Sequence, residues 1–257
     1  MNKKSVFFAS FPLLLASLSS CSSHYQLSGV ERTRIVVDKR FDAQPDAKAA
    51  AFLAPYKHQV DSVLGPVLGT VAHDMAAKRP ESDLSNLMAD ILVWAAPKYG
   101  EQPVLGIYNM GGIRAALTRG EVTYGDVLDI APFENKICFT TLTGEQLLKL
   151  FSQIAKRGGE GVSKGVELLI TADGQLVSAR LHGKEIDPKA AYRVTTIDYL
   201  LGGNDGMSAL NEGSQVNSPQ EAVNNTRFII MDYFREKQAK GIVVDAKVEG
   251  RIRIDNR

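Results

Sequence analysis

Residues Tyr108 to Phe133 read YNMGGIRAALTRGEVTYGDVLDIAPF, and the fold turns on how this stretch is interpreted. The apolar run Val104 to Ile107 ahead of it suits a buried strand, which ends in a polar turn, Asn109-Met110-Gly111-Gly112. Two glycines can take positive φ and let a ligand approach the main chain closely. The turn delivers one arginine, Arg114, before a short helical pattern begins. A strand end, a tight turn and a helix start gather backbone N–H groups and a guanidinium around one point, which suits an anion or the polar edge of a ring. The same residues also fit an ordinary strand-to-helix connection with a solvated arginine. Further on, Thr123-Tyr124-Gly125-Asp126 starts a second short helix, and Pro132 fixes the backbone before Phe133. A ring in that place is either buried or held out to a ligand.

Outward toward the C-terminus, Ile137 to Leu142 reads as a strand and Thr143-Gly144-Glu145 caps a helix to about Lys156. A glycine-rich loop, Arg157 to Gly165, leads into the hairpin of Val166 to Thr171 and Leu176 to Leu181. Tyr192 to Ile197 is another strand, and it delivers Asp198-Tyr199 and the loop Gly202-Gly203-Asn204-Asp205-Gly206. An aromatic and an acid beside glycines repeat the logic of the opening stretch. Pro219 to Lys240 is an amphipathic helix and Val248 to Ile254 a closing strand. Toward the N-terminus, Arg79 to Leu84 reads as a turn and helix start, followed by a core helix with Leu87, Ile91 and Leu92 on one face. Ala47 to Met75 has helical spacing interrupted by Pro55 and Pro66, and Arg34 to Asp38 alternates like an edge strand.

The first 21 residues, MNKKSVFFASFPLLLASLSSC, combine a basic start, an apolar run too short to span a membrane, and small residues before Cys21. This has the shape of a secretory signal over residues 1–20. Leu18-Ser19-Ser20-Cys21 is similar to the bacterial lipobox, in which the cysteine carries lipid, and a plain signal cut nearby is the alternative. The expectation is an exported protein anchored in the bacterial envelope through Cys21, with residues 21–46 a tether and edge segment and 47–257 one domain. Cys138 sits in an apolar run and reads as a buried structural thiol. The formal charge of +1 falls to −1 without Lys3 and Lys4, and no dense Lys/Arg cluster suggests a nucleic-acid surface.

Several separated segments match one pattern. Glu81-Ser82 with Leu84-Ser85-Asn86-Leu87, Asn109 to Arg114, Tyr124-Gly125-Asp126, Pro132-Phe133, Leu142-Thr143-Gly144, Tyr192-Arg193-Val194, Gly202 to Gly206 and Gly250-Arg251-Ile252 stand in one order. From about residue 50 onward the chain resembles the C-terminal domain of the bacterial and animal 5'-nucleotidases, the UDP-sugar hydrolases included. The resemblance implies an α+β fold, a layered α-β-β-α sandwich with mixed sheets. It implies that Phe133 and Tyr199 clamp a nucleobase, that Asn109 contacts the base, and that Arg114 lies near ribose and phosphate. Asp205 matches the aspartate that accepts the ribose hydroxyls, and an ionised carboxylate, being acceptor-only, suits two hydroxyl donors. Gly112 and Gly203 fall within the two binding loops. A further family arginine aligns closest to Lys78, with Arg79 adjacent. This chain departs from the pattern at Met110 and Asn204, each in place of a glycine, at Tyr199 where phenylalanine is frequent, and at Met207 where an aromatic is common. Met110 is expected to put bulk beside Arg114.

In the family the resemblance points to, a separate N-terminal domain cleaves the phosphate ester with two metal ions held by histidines, aspartates and an asparagine. Two such ions activate water and stabilise the charge of an in-line displacement. Here His24, His58, His73 and His182 stand isolated, with no GNH or GHxH string. The expectation is therefore a nucleoside- or nucleotide-binding unit with no catalytic residue, metal ligand or cofactor of its own, completed by a metallophosphatase subunit in trans that holds two divalent ions. The alternative is an envelope lipoprotein that binds nucleosides or nucleotides without an enzymatic role.

Overall fold

The computed structural model describes residues 25–41, 43 and 45–255. The signal segment and Cys21 lie outside them. Two compact units divide the chain, Met1–Phe52 and Leu53–Arg257.

In the first, residues 25–37 are exposed and form neither helix nor strand, so the edge strand expected over Arg34 to Asp38 is not made. Alternation alone does not make a strand, which is stable only within a hydrogen-bonded ladder. Helix α1 (Ala47–Leu64) begins where the Asp46 carboxylate accepts the N–H groups of Lys48 and Ala49. It runs through Pro55, where an interruption was expected; the ring removes one backbone donor without ending the helix.

The larger unit contradicts the helical reading of the segment up to Met75. Past Pro66 the chain turns into β1 (Val67–Val71), which pairs antiparallel with the strand Gly120–Thr123. A waiting partner strand decides the conformation of VLGTV over its local spacing. Gly69 lets β1 pack closely on Phe234, since a Cβ there would stand 3.0 Å from the Phe234 ring and press it aside. Next come α2 (Asp83–Ala95), β2 (Leu105–Tyr108), β3 (Gly120–Thr123), α3 (Tyr124–Ile130), β4 (Ile137–Thr143), α4 (Gly144–Lys156) and β5 (Gly161–Val162). The chain continues through β6 (Val166–Thr171), β7 (Leu176–Leu181), β8 (Lys184–Glu185), β9 (Ala191–Ile197), α5 (Asp198–Leu201), β10 (Ser214–Asn217), α6 (Thr226–Ala239) and β11 (Ile252–Asp255).

The α+β class with mixed sheets is what the chain forms. A five-stranded sheet runs β10-β4-β9-β2-β5, with β2 parallel to β9 and the other pairs antiparallel. A four-stranded sheet runs β11-β6-β7-β8, with only β11 and β6 parallel. Helix α2 packs on β2, β5 and α6, while α4 contacts both β4 and β7 and so bridges the two sheets. Phe139, Phe151 and Phe234 are fully buried between these layers. Cys138 is buried with them as expected, and burial pushes its thiol well above the ordinary value.

Local chemistry explains the boundaries. Ser82 with Ser85, Thr123 with Asp126 and Thr143 with Gln146 form reciprocal caps that start α2, α3 and α4. Asn225 caps α6, which is why that helix begins at Thr226 and not near Pro219. Several residues of the recognised pattern turn out to be fasteners. Glu81 is buried and accepts from the Asn86 amide at 2.6 Å and from the N–H groups of Glu249 and Ile252 at 2.8 and 3.3 Å, which ties the start of α2 to β11. The closing strand is correspondingly shorter than expected, beginning at Ile252. Arg193 forks onto Glu101 at 2.6 and 2.7 Å, and Arg251 onto Asp90 with two bonds of 2.8 and 2.9 Å.

Candidate functional site

The turn after β2 is a single 3-10 turn, Met110–Gly112, followed by extended backbone at Ile113; no helix starts before Tyr124. The expected helix start behind Arg114 is thus absent, and with it a helix N-terminus at this point. Ala115 to Arg119 is drawn away by Met75 and Asp74, since Met75 and Leu117 exchange backbone hydrogen bonds and Asp74 accepts the Arg119 N–H at 2.7 Å. What the turn does instead is aim Asn109. Its side chain is buried, and Nδ2 donates 2.9 Å to Asp205 Oδ2 in the distant glycine loop. Oδ1 finds no protein donor and lies against Gly112, where a Cβ would come within 2.6 Å of it. A side chain at 112 would therefore push the Asn109 amide out of its place.

Two loops form the facing wall. Pro132 and Ala131 are held from α6, with Arg227 donating to their carbonyls at 2.5 and 3.1 Å and the Thr226 N–H bonding the Asn135 carbonyl at 2.8 Å. Phe133 leaves this braced turn 47% exposed. Tyr199 stands on the one-turn helix α5, 40% exposed, with its N–H on Asp198 Oδ1. Both rings line one cavity of about 240 Å³ together with Asn109, Gly112 and Asp205. Neither is a core ring. A volume of this size, a little below that of drug-sized ligand pockets, holds one small ring system.

Asp205 is the strained member. It holds φ 56°, ψ 23°, a left-handed conformation that a residue with a Cβ adopts at a cost of about 1–2 kcal/mol. Its side chain offsets that cost with Asn109 on Oδ2 and the Tyr199 hydroxyl, which donates 3.2 Å to Oδ1. The nearby Asp205 charge raises the Tyr199 phenol above its ordinary value, so that the hydroxyl remains a donor. Asn204 supports the same loop by donating to the Tyr199 carbonyl at 2.8 Å, a bond that a glycine there could not make.

Of the residues expected from sequence, Asn109, Gly112, Phe133, Tyr199 and Asp205 come together around the cavity. Arg114 lies just outside, exposed, with Nη1 on the Gly111 carbonyl at 3.2 Å. Gly203 shapes its loop with φ 80° and does not line the cavity. Lys78 is exposed and also apart from it, whereas its neighbour Arg79 turns toward the loop after α4 and bonds the Gly159 carbonyl at 2.9 Å. Met110 does not crowd Arg114 at the surface; its side chain is buried. Gly111 lines the cavity too, though neither it nor Gly112 takes the positive φ open to them; sequence reasoning missed Asn135, which also lines the cavity, and Arg227, which braces the Phe133 turn. Asn135 was findable as the polar residue two places after the presented ring. Among the described residues no group of three or more His, Cys, Asp or Glu could hold a metal ion, and no helix is long and apolar enough to cross a membrane.

The family model described as "5'-nucleotidase, C-terminal domain" matches residues 67–212, more than half of the chain. Trifunctional nucleotide phosphoesterase protein YfkN of Bacillus subtilis is 27% identical over 237 residues, 84% of this chain and 16% of that protein. Protein UshA of Yersinia enterocolitica is 29% identical over 168 residues, 63% of this chain and 30% of the relative. The chain therefore spans less than a third of the length of either. Among solved structures, a 5'-nucleotidase precursor from Thermus thermophilus superposes with a TM-score of 0.69 at 26% identity, covering 84% of this chain and 45% of that one. The matched span encloses the Asn109 turn, the Phe133 loop and the Asp205 loop, and the chain belongs to the 5'-nucleotidase C-terminal domain family.

Proposed function

We propose that this chain is the nucleoside- or nucleotide-binding unit of a 5'-nucleotidase-type phosphate-ester hydrolase. The observation that carries the reading is one cavity lined by two half-exposed rings, a carboxylate and a buried amide. A flat heterocycle would enter between Phe133 and Tyr199, where stacking on either face tolerates any base. The attached sugar would then meet Asp205, whose acceptor-only carboxylate suits vicinal hydroxyls. Arg114, exposed beyond Gly111, is the cation nearest in sequence to the turn and would face the phosphate.

In this proposal the ester is cleaved on a metallophosphatase unit acting in trans, which would hold two divalent metal ions, polarise the phosphoryl oxygens and activate water. Export and a lipid anchor on Cys21 complete it, bringing the two units together at an envelope membrane. The test is calorimetric titration of the purified chain with nucleosides, nucleoside monophosphates and UDP-sugars, then phosphate release with added divalent metal, alone and with a candidate phosphatase. Saturable binding, weakened by about 1–3 kcal/mol in Phe133→Ala, is the expected result. Rapid turnover by the chain alone would sink the assignment of chemistry to a second unit, and binding without turnover beside any phosphatase would leave a binding lipoprotein. Incorporation of labelled fatty acid that survives Cys21→Ala would rule out the anchor.

A further inference from the structure

Behind the clamp lies a charge cluster to which the binding scheme above gives no task. Glu160, in the loop after α4, has a fully buried side chain that is paired with Arg79 and with Arg157, the latter at 2.6 Å through Nε. Its second oxygen accepts the Met110 N–H at 2.5 Å, so one carboxylate also anchors the turn that carries Asn109. Arg157 reaches forward from the end of α4, and its Nη2 lies 3.5 Å from Asp205 Oδ2. Desolvation opposes the Arg157 charge, but Glu160 and Asp205 outweigh it and raise its proton affinity further.

We propose that Arg157 is a specificity-determining positioning residue, held by Glu160, which orients the Asp205 carboxylate so that the site selects sugars with vicinal hydroxyls. This rests on the nucleoside reading given above. A carboxylate offers about four acceptor positions. Asn109 takes one on Oδ2 and the Tyr199 hydroxyl takes one on Oδ1, leaving one on each oxygen for two hydroxyl donors. A guanidinium at 3.5 Å is beyond a good hydrogen bond, so it fixes the orientation of the carboxylate without filling the remaining acceptor position. The backbone of Asp205, strained at φ 56°, gives the side chain no such support. Removing Arg157 should therefore penalise ligands that present both hydroxyls and spare those that present one.

The experiment titrates the full chain with adenosine and uridine and with their 2'-deoxy counterparts. Wild type is compared with Arg157→Gln, Asp205→Asn and the double variant. Arg157→Gln is expected to weaken the ribonucleosides by on the order of ten-fold, because a less well oriented Asp205 loses one of its two hydrogen bonds from the sugar hydroxyls, and the deoxynucleosides by about two-fold or less. In the Asp205→Asn background the same substitution should cost nothing more. Arg157→Lys keeps a cation beside Glu160 but loses the forward-reaching fork; it guards against unfolding of the glutamine variant and should show the same selective loss. Equal weakening of both sugar series, or full additivity with Asp205→Asn, would overturn the role of Arg157 while leaving nucleoside binding intact. Absence of saturable binding by the wild type would instead bring down the nucleoside reading and this role together.

Discussion

Glu81 and Glu160 are both buried carboxylates, 8% and 1% exposed, and the chain satisfies them by opposite means. Glu81 accepts three neutral donors, the Asn86 amide and two backbone N–H groups near β11. Glu160 takes two guanidiniums and one N–H, and both arginines keep part of their side chains in water, 38% for Arg79 and 30% for Arg157. A carboxylate fastened by buried amides is a fixture of the fold. Glu160 is instead joined to both cavity loops, directly to the Met110 N–H and through Arg157 to Asp205.

The hardest test of that contrast is Glu81→Ala. Each buried donor left without an acceptor costs about 1–3 kcal/mol, so with three released the variant should lose roughly 3–5 kcal/mol of unfolding free energy in urea. Ligand affinity per folded molecule should not move. A variant with wild-type stability and lost binding would reverse the assignment. Glu160→Ala comes next in size. It leaves two cations facing each other, but both can rehydrate, so the stability loss should stop near ~2 kcal/mol, below the cost of breaking a fully buried pair. Unlike Glu81→Ala, it should weaken ribonucleoside binding through Met110 and Arg157. Unchanged affinity would make Glu160 a second fold fixture.

The same contrast explains what the sequence made legible. Glu81, Asn86, Arg193 and Arg251 sit in recognisable motifs, and so do Asn109, Phe133, Tyr199 and Asp205, because a recurring backbone geometry needs the same residue types at the same spacing. Glu160 and Arg157 lie in a glycine-rich connection with no periodicity, and their partners at Arg79 and Asp205 are 81 and 48 positions away in the chain. Contacts of that separation leave no local trace. Strand β1 failed for a related reason: VLGTV is extended because β3 lies beside it, and nothing within five residues reveals a neighbour 50 positions on. Pro55 was misread as a break because a single proline costs a helix one donor, which a long helix tolerates.

The two rings that line the cavity extend the comparison to smaller effects. Phe133 projects from a turn braced by Arg227 and offers only its π face. Phe133→Ala should therefore cost about 1–3 kcal/mol of binding, equally for ribo- and deoxynucleosides, since only stacking is removed. Unfolding free energy should change by less than ~1 kcal/mol, because a half-exposed ring buries little surface. A large loss of stability would return Phe133 to the core.

Tyr199 adds to the same stacking face a hydroxyl that donates to Asp205, so Tyr199→Phe isolates the polar contribution of one ring. Phenylalanine keeps the ring and leaves Asp205 with Asn109 and Arg157, and the freed acceptor position on Oδ1 can be taken by water. The expected cost is therefore that of one modest hydrogen bond, about 0.5–1.5 kcal/mol of ribonucleoside affinity, with a smaller change for the 2'-deoxy compounds. The sign is informative. If Tyr199→Phe binds ribonucleosides more tightly than wild type, the hydroxyl competes with the sugar for Asp205, and the tyrosine acts as an internal occupant that a ligand must displace. If binding weakens for the ribo series alone, the hydroxyl instead holds the carboxylate in the orientation that the sugar requires, and Tyr199 shares that task with Arg157 from the opposite side.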